Sequence, residues 1–86
     1  MTYELIWNPA AENDLAKIWL AAEDRPAVRR ASAEIDWVLA RTPLGIGTVQ
    51  ESSVHRIAYF DCLAADYEVI EDDKRVIVQA VFAVKE

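Results

Sequence analysis

The segment RVIVQAVFAV, residues 75–84, constrains the fold more than any other part of the chain. Its apolar residues form a nearly continuous run, which is typical of a strand buried on both faces, whereas a half-exposed strand alternates. The turn-forming residues 71–74 precede it, and an alternating apolar and polar segment, residues 63–69, precedes that turn. The sequence therefore predicts a hairpin whose second strand lies inside a sheet.

Two further segments supply neighbours for this hairpin. Residues 49–60 read as a strand region with a break at Ser52-Ser53, and its apolar residues do not alternate cleanly enough to identify a buried face. A turn at residues 60–62 connects it to the next strand. Near the amino terminus, Tyr3, Leu5 and Trp7 alternate with their neighbours and predict the first strand of the chain.

Two helices are predicted between the first strand and the rest. Asn8-Pro9 is a cap followed by a helix-opening proline, and a stripe of apolar residues continues to about Ala22. After the short connection EDR, Pro26 opens a second helix with Asp24 or Arg25 at its cap, and the segment TPLGIG ends it. Helices connected so briefly run antiparallel.

These elements predict an α+β domain, β-α-α-β-β-β, that spans residues 1–86. The helical hairpin returns the chain to the end of the sheet from which it left. The last three strands form an antiparallel meander, and the first strand adds beside the fourth, also antiparallel. The result is a four-stranded antiparallel sheet of order 2-3-4-1, with the helical hairpin packed on one face.

Composition narrows the classes of function. The chain has 86 residues, enough for one core, and a net charge of −6, with eight acids against four bases in residues 51–86. Nucleic-acid binding usually needs a basic patch, so the charge disfavours it except at a local cluster. A lone cysteine, Cys62, is expected to be a small buried residue, since it can form no internal disulfide or zinc site.

No cofactor, metal or membrane signal is visible. The acidic run near residues 66–73 lacks the glycine turn of a calcium loop, and it reads as a solvated hairpin tip. Neither a phosphate-binding glycine loop nor a spanning apolar run is present, and the amino terminus lacks a secretory pattern. We expect a cytoplasmic protein.

Trp37 is the unusual residue of the second helix. At about 100° per residue it projects away from the buried stripe, on the same side as Arg30 and Arg41. One interpretation is an ordinary surface aromatic, or one that packs under a loop. The other is a partner-binding patch, because tryptophan with flanking arginines is typical of interface anchors.

Residues 51–56 offer one catalytic hypothesis, in which Glu51 and His55 exchange protons and Arg56 stabilises a phosphate. On a straight strand Glu51 and His55 lie about 13 Å apart, which is too far for direct cooperation. Arg56 must find a carboxylate, a carbonyl or a ligand anion. Its carboxylate candidates are Glu51, Asp66 and Glu68 on neighbouring strands, and the alternative is a contact with a target.

The order of elements resembles the RelE/ParE toxin superfamily of type II toxin–antitoxin modules, also called plasmid stabilisation proteins. The similarity rests on YELIWNPAAENDLAKIW, on Ala31, Ile35 and Leu39 before Pro43 and Gly47, and on HRI followed by CLAADYEVIEDDKRVIVQAV. By this resemblance Arg56, Tyr67 and Arg75 take the places of the family's strand arginine, strand tyrosine and the base that opens the last strand. They are therefore the catalytic candidates.

The chain also departs from the family pattern. Many members carry Pro-Leu-Arg-Val where this chain has CLAA, so that Ala64 replaces the usual arginine, and the ending VFAVKE lacks the basic residues and tyrosine of mRNA-cleaving members. The resemblance therefore implies the ParE-like branch, whose members poison DNA gyrase without enzymatic chemistry. The alternatives are a RelE-like ribosome-dependent endoribonuclease that uses Arg56 and Arg75, and a degenerate, non-toxic member.

The resemblance also implies a partner. A small cognate antitoxin would neutralise the chain, and a basic, disordered antitoxin segment could fold along the two helices or add to the sheet edge. DNA gyrase is the candidate target, with the ribosome and mRNA as the alternative. No cofactor is implied.

Overall fold

The computed structural model describes residues 2–49 and 55–84. In chain order its elements are β1 (Glu4–Trp7), α1 (Pro9–Ala21), α2 (Arg25–Arg41), β2 (Thr48–Val49), β3 (His55–Phe60), β4 (Leu63–Ile70) and β5 (Arg75–Ala83). None of the described helices is long and apolar enough to cross a membrane.

Both helices begin where the sequence predicted. The side-chain oxygen of Asn8 accepts a hydrogen bond from the backbone N–H of Ala11 at 2.9 Å, and Pro9 is the first residue of α1. At the start of α2 the carboxylate of Asp24 accepts from the backbone N–H of Ala27 at 3.0 Å. Asp24 is therefore the cap, and Arg25 is the first helical residue.

The sheet has five strands in the order β1-β5-β4-β3-β2. β1 pairs with β5 in parallel, and every other neighbouring pair is antiparallel. The predicted order of the four longer strands is confirmed, and β5 is internal in the sheet. The prediction that this strand is buried on both faces is wrong: its packed-face residues are buried, whereas Phe82 on the other side is 50% exposed.

Two details of the predicted sheet are wrong and share one cause. The sheet is mixed and five-stranded, whereas a wholly antiparallel sheet of four strands was predicted. Residues 48–49 form a separate strand that pairs antiparallel with β3. This extra strand reverses the direction of each strand after it, so β5 runs parallel to β1. The predicted break at Ser52-Ser53 lies outside the described residues.

The two helices lie on one face of the sheet, as predicted. α1 packs over β5, and α2 packs over β1, β3 and β4. We call this side of the sheet the packed face. Its contacts form one hydrophobic core, whose buried residues are Ala11, Val28, Ala31, Ile35, Leu39, Ala58, Phe60, Leu63, Ala65, Tyr67, Val76, Val78 and Val81.

The opposite side of the sheet, which we call the open face, has no described element packed against it. Strand side chains alternate between the two faces, so the residues between the core positions point here. A register shift at Asp66 and Tyr67 adds one residue to β5. The open face comprises Glu4, Ile6, His55, Ile57, Tyr59, Ala64, Asp66, Glu68, Ile70, Arg75, Ile77, Ala80 and Phe82.

Candidate functional site

Tyr67 and Arg56 lie side by side and hold the loop between α2 and β2. They are direct partners in the register of β3 and β4. The Tyr67 hydroxyl lies 2.8 Å from the carbonyl oxygen of Pro43 and 2.9 Å from that of Ile46, and Tyr67 is 0% exposed. Arg56 donates from Nη1 to the same Ile46 carbonyl at 3.2 Å. We call these four residues the loop anchor.

Gly47 adjoins the loop anchor and has no room for a side chain. Its φ is +82°, in the left-handed region that favours glycine. A Cβ added there would lie 2.8 Å from the Tyr67 hydroxyl oxygen and 3.1 Å from the Ile57 carbonyl oxygen. The glycine therefore lets the loop approach the buried tyrosine closely.

The chemical state of Tyr67 follows from its burial. Burial raises the pKa of Tyr67 above its ordinary value, and the nearby positive charge of Arg56 opposes that rise in the pKa. The hydroxyl is therefore protonated at neutral pH, and its proton is directed at backbone carbonyls. In this position Tyr67 stabilises the loop.

Arg75 lies apart from the other two catalytic candidates. Its Nε donates to Glu4 Oε1 at 3.1 Å across the parallel pair β1 and β5. Both residues lie on the open face, whereas Arg56 and Tyr67 lie on the packed face. The structure thus brings Arg56 and Tyr67 together and separates Arg75 from them.

The hairpin tip between β4 and β5 is exposed, as predicted, and it is tied to the amino terminus. The Tyr3 hydroxyl donates to the Glu71 carboxylate at 2.8 Å, and Lys74 Nζ donates to that carboxylate, also at 2.8 Å. The hydrogen bonds from Lys74 and then Tyr3 lower the pKa of Glu71. These contacts secure the edge strand β1.

His55 pairs with Asp66 across β3 and β4. Its Nδ1 lies 3.3 Å from Asp66 Oδ1, and both side chains are partly exposed on the open face. His55 and Arg56 point to opposite faces of β3, so they do not meet. Glu51, the third member of the catalytic hypothesis, lies outside the described residues.

A polar chain continues from β4 toward β1. Gln79 Nε2 donates to Glu68 Oε1 at 3.1 Å, and the side-chain amide of Asn8 donates to Gln79 Oε1 at 2.9 Å. The carboxylates of Asp66 and Glu68 therefore stand in the middle of the open face. Among the residues that the structure describes, none of the His, Cys, Asp and Glu side chains group in threes to hold a metal ion.

The outer face of α2 carries the predicted partner-binding residues. Trp37 is 61% exposed, and the Arg41 guanidinium stacks 4.3 Å from its ring centroid. Arg30 is exposed two turns earlier. At about 100° per residue Arg30, Arg41 and Glu34 share the Trp37 side of α2, so this face has an excess of one positive charge although the chain is acidic.

A groove of about 610 Å³ lies between the two helices. Trp7, Leu15 and Trp19 are among its lining residues. The indole Nε1 of Trp7 donates to Asp36 Oδ1 at 2.7 Å, which fixes that ring at the edge of the groove. The groove gives the helical layer a concave surface of mixed character, because Glu12, Arg29, Ser32 and Asp36 line it together with the apolar residues.

The open face holds an aromatic row that the sequence did not reveal. Tyr59 is the register partner of Ala64, which is in turn the partner of Phe82. Tyr59 is 69% exposed and Phe82 50%. The missing information was the pairing register, because residues 49–60 have no clean alternation. Cys62, expected to be buried, is only half-buried against the core.

Comparison with solved structures identifies proteins that share the fold of this chain. Neither a protein-family model nor a curated protein matches the sequence at a significant level. Among solved structures, a chain of the RelBE2 toxin–antitoxin complex of Mycobacterium tuberculosis aligns with a TM-score of 0.79 at 21% identity, over 98% of this chain and 100% of that one.

Two further structures agree. A chain of the chromosomal ParDE toxin–antitoxin system of P. aeruginosa aligns with a TM-score of 0.73 at 17% identity, over 96% of this chain and 97% of that one. The isolated E. coli RelE toxin aligns with a TM-score of 0.67 at 15% identity, over 98% of this chain and 86% of that one. The chain therefore has the RelE/ParE toxin fold, as the sequence resemblance predicted.

Proposed function

We propose that this chain is the toxin component of a type II toxin–antitoxin module and that it acts in the ParE-like manner, by binding a protein. The observation that supports the toxin assignment is the likeness of nearly the whole chain to the isolated E. coli RelE toxin, together with its likeness to a chain of the RelBE2 toxin–antitoxin complex. Because their identity is low, the mode of action must be argued from the side chains of this chain.

The positions of the catalytic candidates favour protein binding over RNA cleavage. Cleavage would need accessible groups that transfer protons and stabilise charge at a phosphate. Tyr67 is buried, Arg56 bonds a backbone carbonyl, and Arg75 is paired with a carboxylate. Arg56 and Tyr67 lie on one face of the sheet and Arg75 on the other, so the three side chains cannot contact one RNA phosphate together.

Charge on the open face supports the same conclusion. The carboxylates of Asp66 and Glu68 lie near its centre, and both would repel an RNA backbone. Ala64 places a methyl group where many of the resembling proteins carry arginine. A RelE-like endoribonuclease that uses Arg56 and Arg75 is the alternative, and it is supported by the likeness to the isolated RelE toxin.

One induction experiment separates the hypotheses. The chain is expressed alone from a tight promoter, and we expect growth to stop, DNA supercoiling to change, and no new mRNA ends to form. Purified protein should then inhibit gyrase. New mRNA ends at ribosomes would favour the RelE-like alternative, and unimpaired growth with abundant folded protein would favour a degenerate, non-toxic member.

The proposed partner is a cognate antitoxin, and the proposed contact is the outer face of α2 with Trp37, Arg30 and Arg41. The net charge of the chain predicts a basic antitoxin segment, whereas this face is locally basic and fits a segment rich in carboxylates. The contact area includes the stacked Trp37 and Arg41 pair, which resembles an interface anchor.

The test uses the product of a short reading frame adjacent to the gene. Trp37→Ala should weaken its capture by at least about tenfold, because exposed tryptophan anchors commonly contribute 2 kcal/mol or more to binding. Leu20→Ala is the matched control, since Leu20 is 72% exposed on α1 and lies outside the proposed contact. Equal capture by both variants would remove the α2 face from the proposal.

A further inference from the structure

The aromatic row on the open face is exposed but not isolated from the sheet. Tyr59 and Phe82 stand on either side of Ala64, which is only 5% exposed. Ala64 does not belong to the hydrophobic core on the packed face. Its cover therefore comes from the open face, where the two aromatic side chains flank it and form one continuous apolar patch with it.

Two carboxylates continue this patch along β4. Asp66 and Glu68 follow Ala64 on the same face, so they lie about 7 Å and about 13 Å farther along the strand. His55 Nδ1 lies 3.3 Å from Asp66 Oδ1, and Glu68 accepts a hydrogen bond from the neutral side chain of Gln79. Arg75, the arginine of this face, is paired with Glu4. The surface beside the aromatic row is therefore acidic.

We propose that the open face binds an extended segment of a partner protein that carries an apolar anchor followed by basic residues. The anchor, aromatic or aliphatic, packs on the aromatic row, and arginine or lysine side chains two and four positions later reach Asp66 and Glu68. An extended segment repeats its side chains on one side every 7 Å or so, which is the spacing of Ala64, Asp66 and Glu68 along β4. Charge complementarity selects a basic segment.

Single-stranded RNA would also stack on exposed aromatics, but it fits the charges of this face poorly. Each base brings a phosphate with it, and RNA-binding surfaces combine aromatic residues with a positively charged groove. Here the aromatic row is followed by two carboxylates, and Ala64 supplies no cation between the two rings. A protein segment brings no such obligatory negative charge.

This inference extends the proposed protein-binding mode by assigning it a second surface and a partner chemistry. It also reconciles the two charge patterns, because a basic partner segment fits the open face while an acidic one fits α2. Its test uses purified protein and a synthetic peptide, so failure of the growth or gyrase experiments leaves the binding result unaffected.

The experiment titrates the purified chain with the peptide Gly-Phe-Ser-Arg-Ser-Arg-Ser-Gly and follows backbone amide NMR shifts at low salt. We expect saturable shifts on β3, β4 and β5. Asp66→Asn should weaken binding about two- to fivefold, as loss of an exposed ion pair does. Ala64→Arg should weaken it at least about tenfold, since the new cation covers the patch and repels the peptide.

Three controls make the outcome decisive. Leu20→Ala should bind as the unchanged chain does, a peptide with glutamate in place of arginine should bind more weakly, and unfolding curves should show that Ala64→Arg is folded. Absence of peptide binding, equal binding of the acidic peptide, or unchanged binding by Ala64→Arg would overturn the proposal. Shifts at this face with an RNA hexamer alone, or a dimer that Ala64→Arg dissociates, would assign it to another occupant.

Discussion

Tyr67 and Tyr59 are on neighbouring strands of one sheet, yet the two faces give them opposite roles. Tyr67 points into the packed face, is completely buried, and directs its hydroxyl at two loop carbonyls. Tyr59 points to the open face and is 69% exposed. Of the three catalytic candidates, Tyr67 is buried on the packed face, whereas Arg75 is partly exposed on the open face. On this scaffold the packed face holds the loop and the core, and the open face is available for partners.

The largest expected effect comes from filling the space beside Tyr67. Gly47→Ala combines a left-handed φ with a Cβ only 2.8 Å from the Tyr67 hydroxyl oxygen. We expect the free energy of unfolding to fall by about 2 to 4 kcal/mol, the sum of backbone strain and a displaced hydrogen bond.

Gly45→Ala is the matched control for this substitution, because its nearest atoms would be 3.7 Å from the new Cβ. It should change the free energy of unfolding by less than about 1 kcal/mol. Urea unfolding followed by tryptophan fluorescence measures both variants. Equal effects at the two glycines would contradict the close approach of the loop to Tyr67.

The two tyrosines can be compared directly by removing each hydroxyl. Tyr67→Phe removes the one hydroxyl proton shared by the buried Pro43 carbonyl and the Ile46 carbonyl, and should lower the free energy of unfolding by about 1 to 3 kcal/mol, although Ile46 keeps its bond from Arg56. Tyr59→Phe should change it by less than about 0.5 kcal/mol, because exposed positions tolerate such changes. Urea unfolding at pH 7 gives both values, and a larger loss at Tyr59 would reverse the comparison of the faces.

The burial of Tyr67 on the packed face should also make the stability of the protein depend on alkaline pH. The pKa of Tyr67 is raised in the folded chain, whereas in the unfolded chain it is near 10. The contribution of Tyr67 to the free energy of unfolding is therefore complete below pH 10 and is lost as pH rises toward the folded pKa. In that window the unfolded chain releases a proton that the folded chain retains. Stability should fall by up to about 1.4 kcal/mol per pH unit.

The control for the pH experiment is a second tyrosine. The hydrogen bond to Glu71 raises the pKa of Tyr3 as well, so Tyr3 acts with the same sign but at an exposed site. Melting temperatures between pH 9 and pH 11 should therefore be less pH-dependent in Tyr67→Phe than in Tyr3→Phe. If the melting temperatures of both variants depend on pH equally, the loss of stability at alkaline pH does not come from Tyr67.

Arg56→Ala should have a smaller effect on stability than Gly47→Ala or Tyr67→Phe. Its bond to the Ile46 carbonyl is 3.2 Å long and half-buried, so the loss should be about 1 kcal/mol. Arg30→Ala, on the exposed face of α2, should stay within about 0.5 kcal/mol. Chemical unfolding measures stability, and growth after induction measures toxicity. If the Arg56→Ala protein is folded but no longer stops growth, Arg56 has a role in toxicity and not only in stability.

The exposure of Trp37 could be predicted from sequence alone. The rotation of about 100° per residue placed Trp37 on the outer side of α2, where it is exposed beside Arg41. The loop anchor could not be predicted, because Tyr67 reaches carbonyls 24 and 21 residues away. A carboxylate was the predicted partner of Arg56, whereas Arg56 donates to the backbone carbonyl of Ile46. Nothing in a carbonyl's residue type marks it as an acceptor for a distant side chain.

The sequence by itself determined the elements of this protein and most of their order. Capping residues located both helices, and the apolar run of residues 75–84 predicted an internal strand, which is the position of β5 in the sheet although only one of its faces is covered. The tertiary structure decided the direction of β1 relative to β5. It also decided which face of the sheet each catalytic candidate occupies, with Arg56 and Tyr67 on the packed face and Arg75 on the open face. A strand of two residues, Thr48–Val49, has no periodicity to recognise, yet it reverses the direction of every strand that follows.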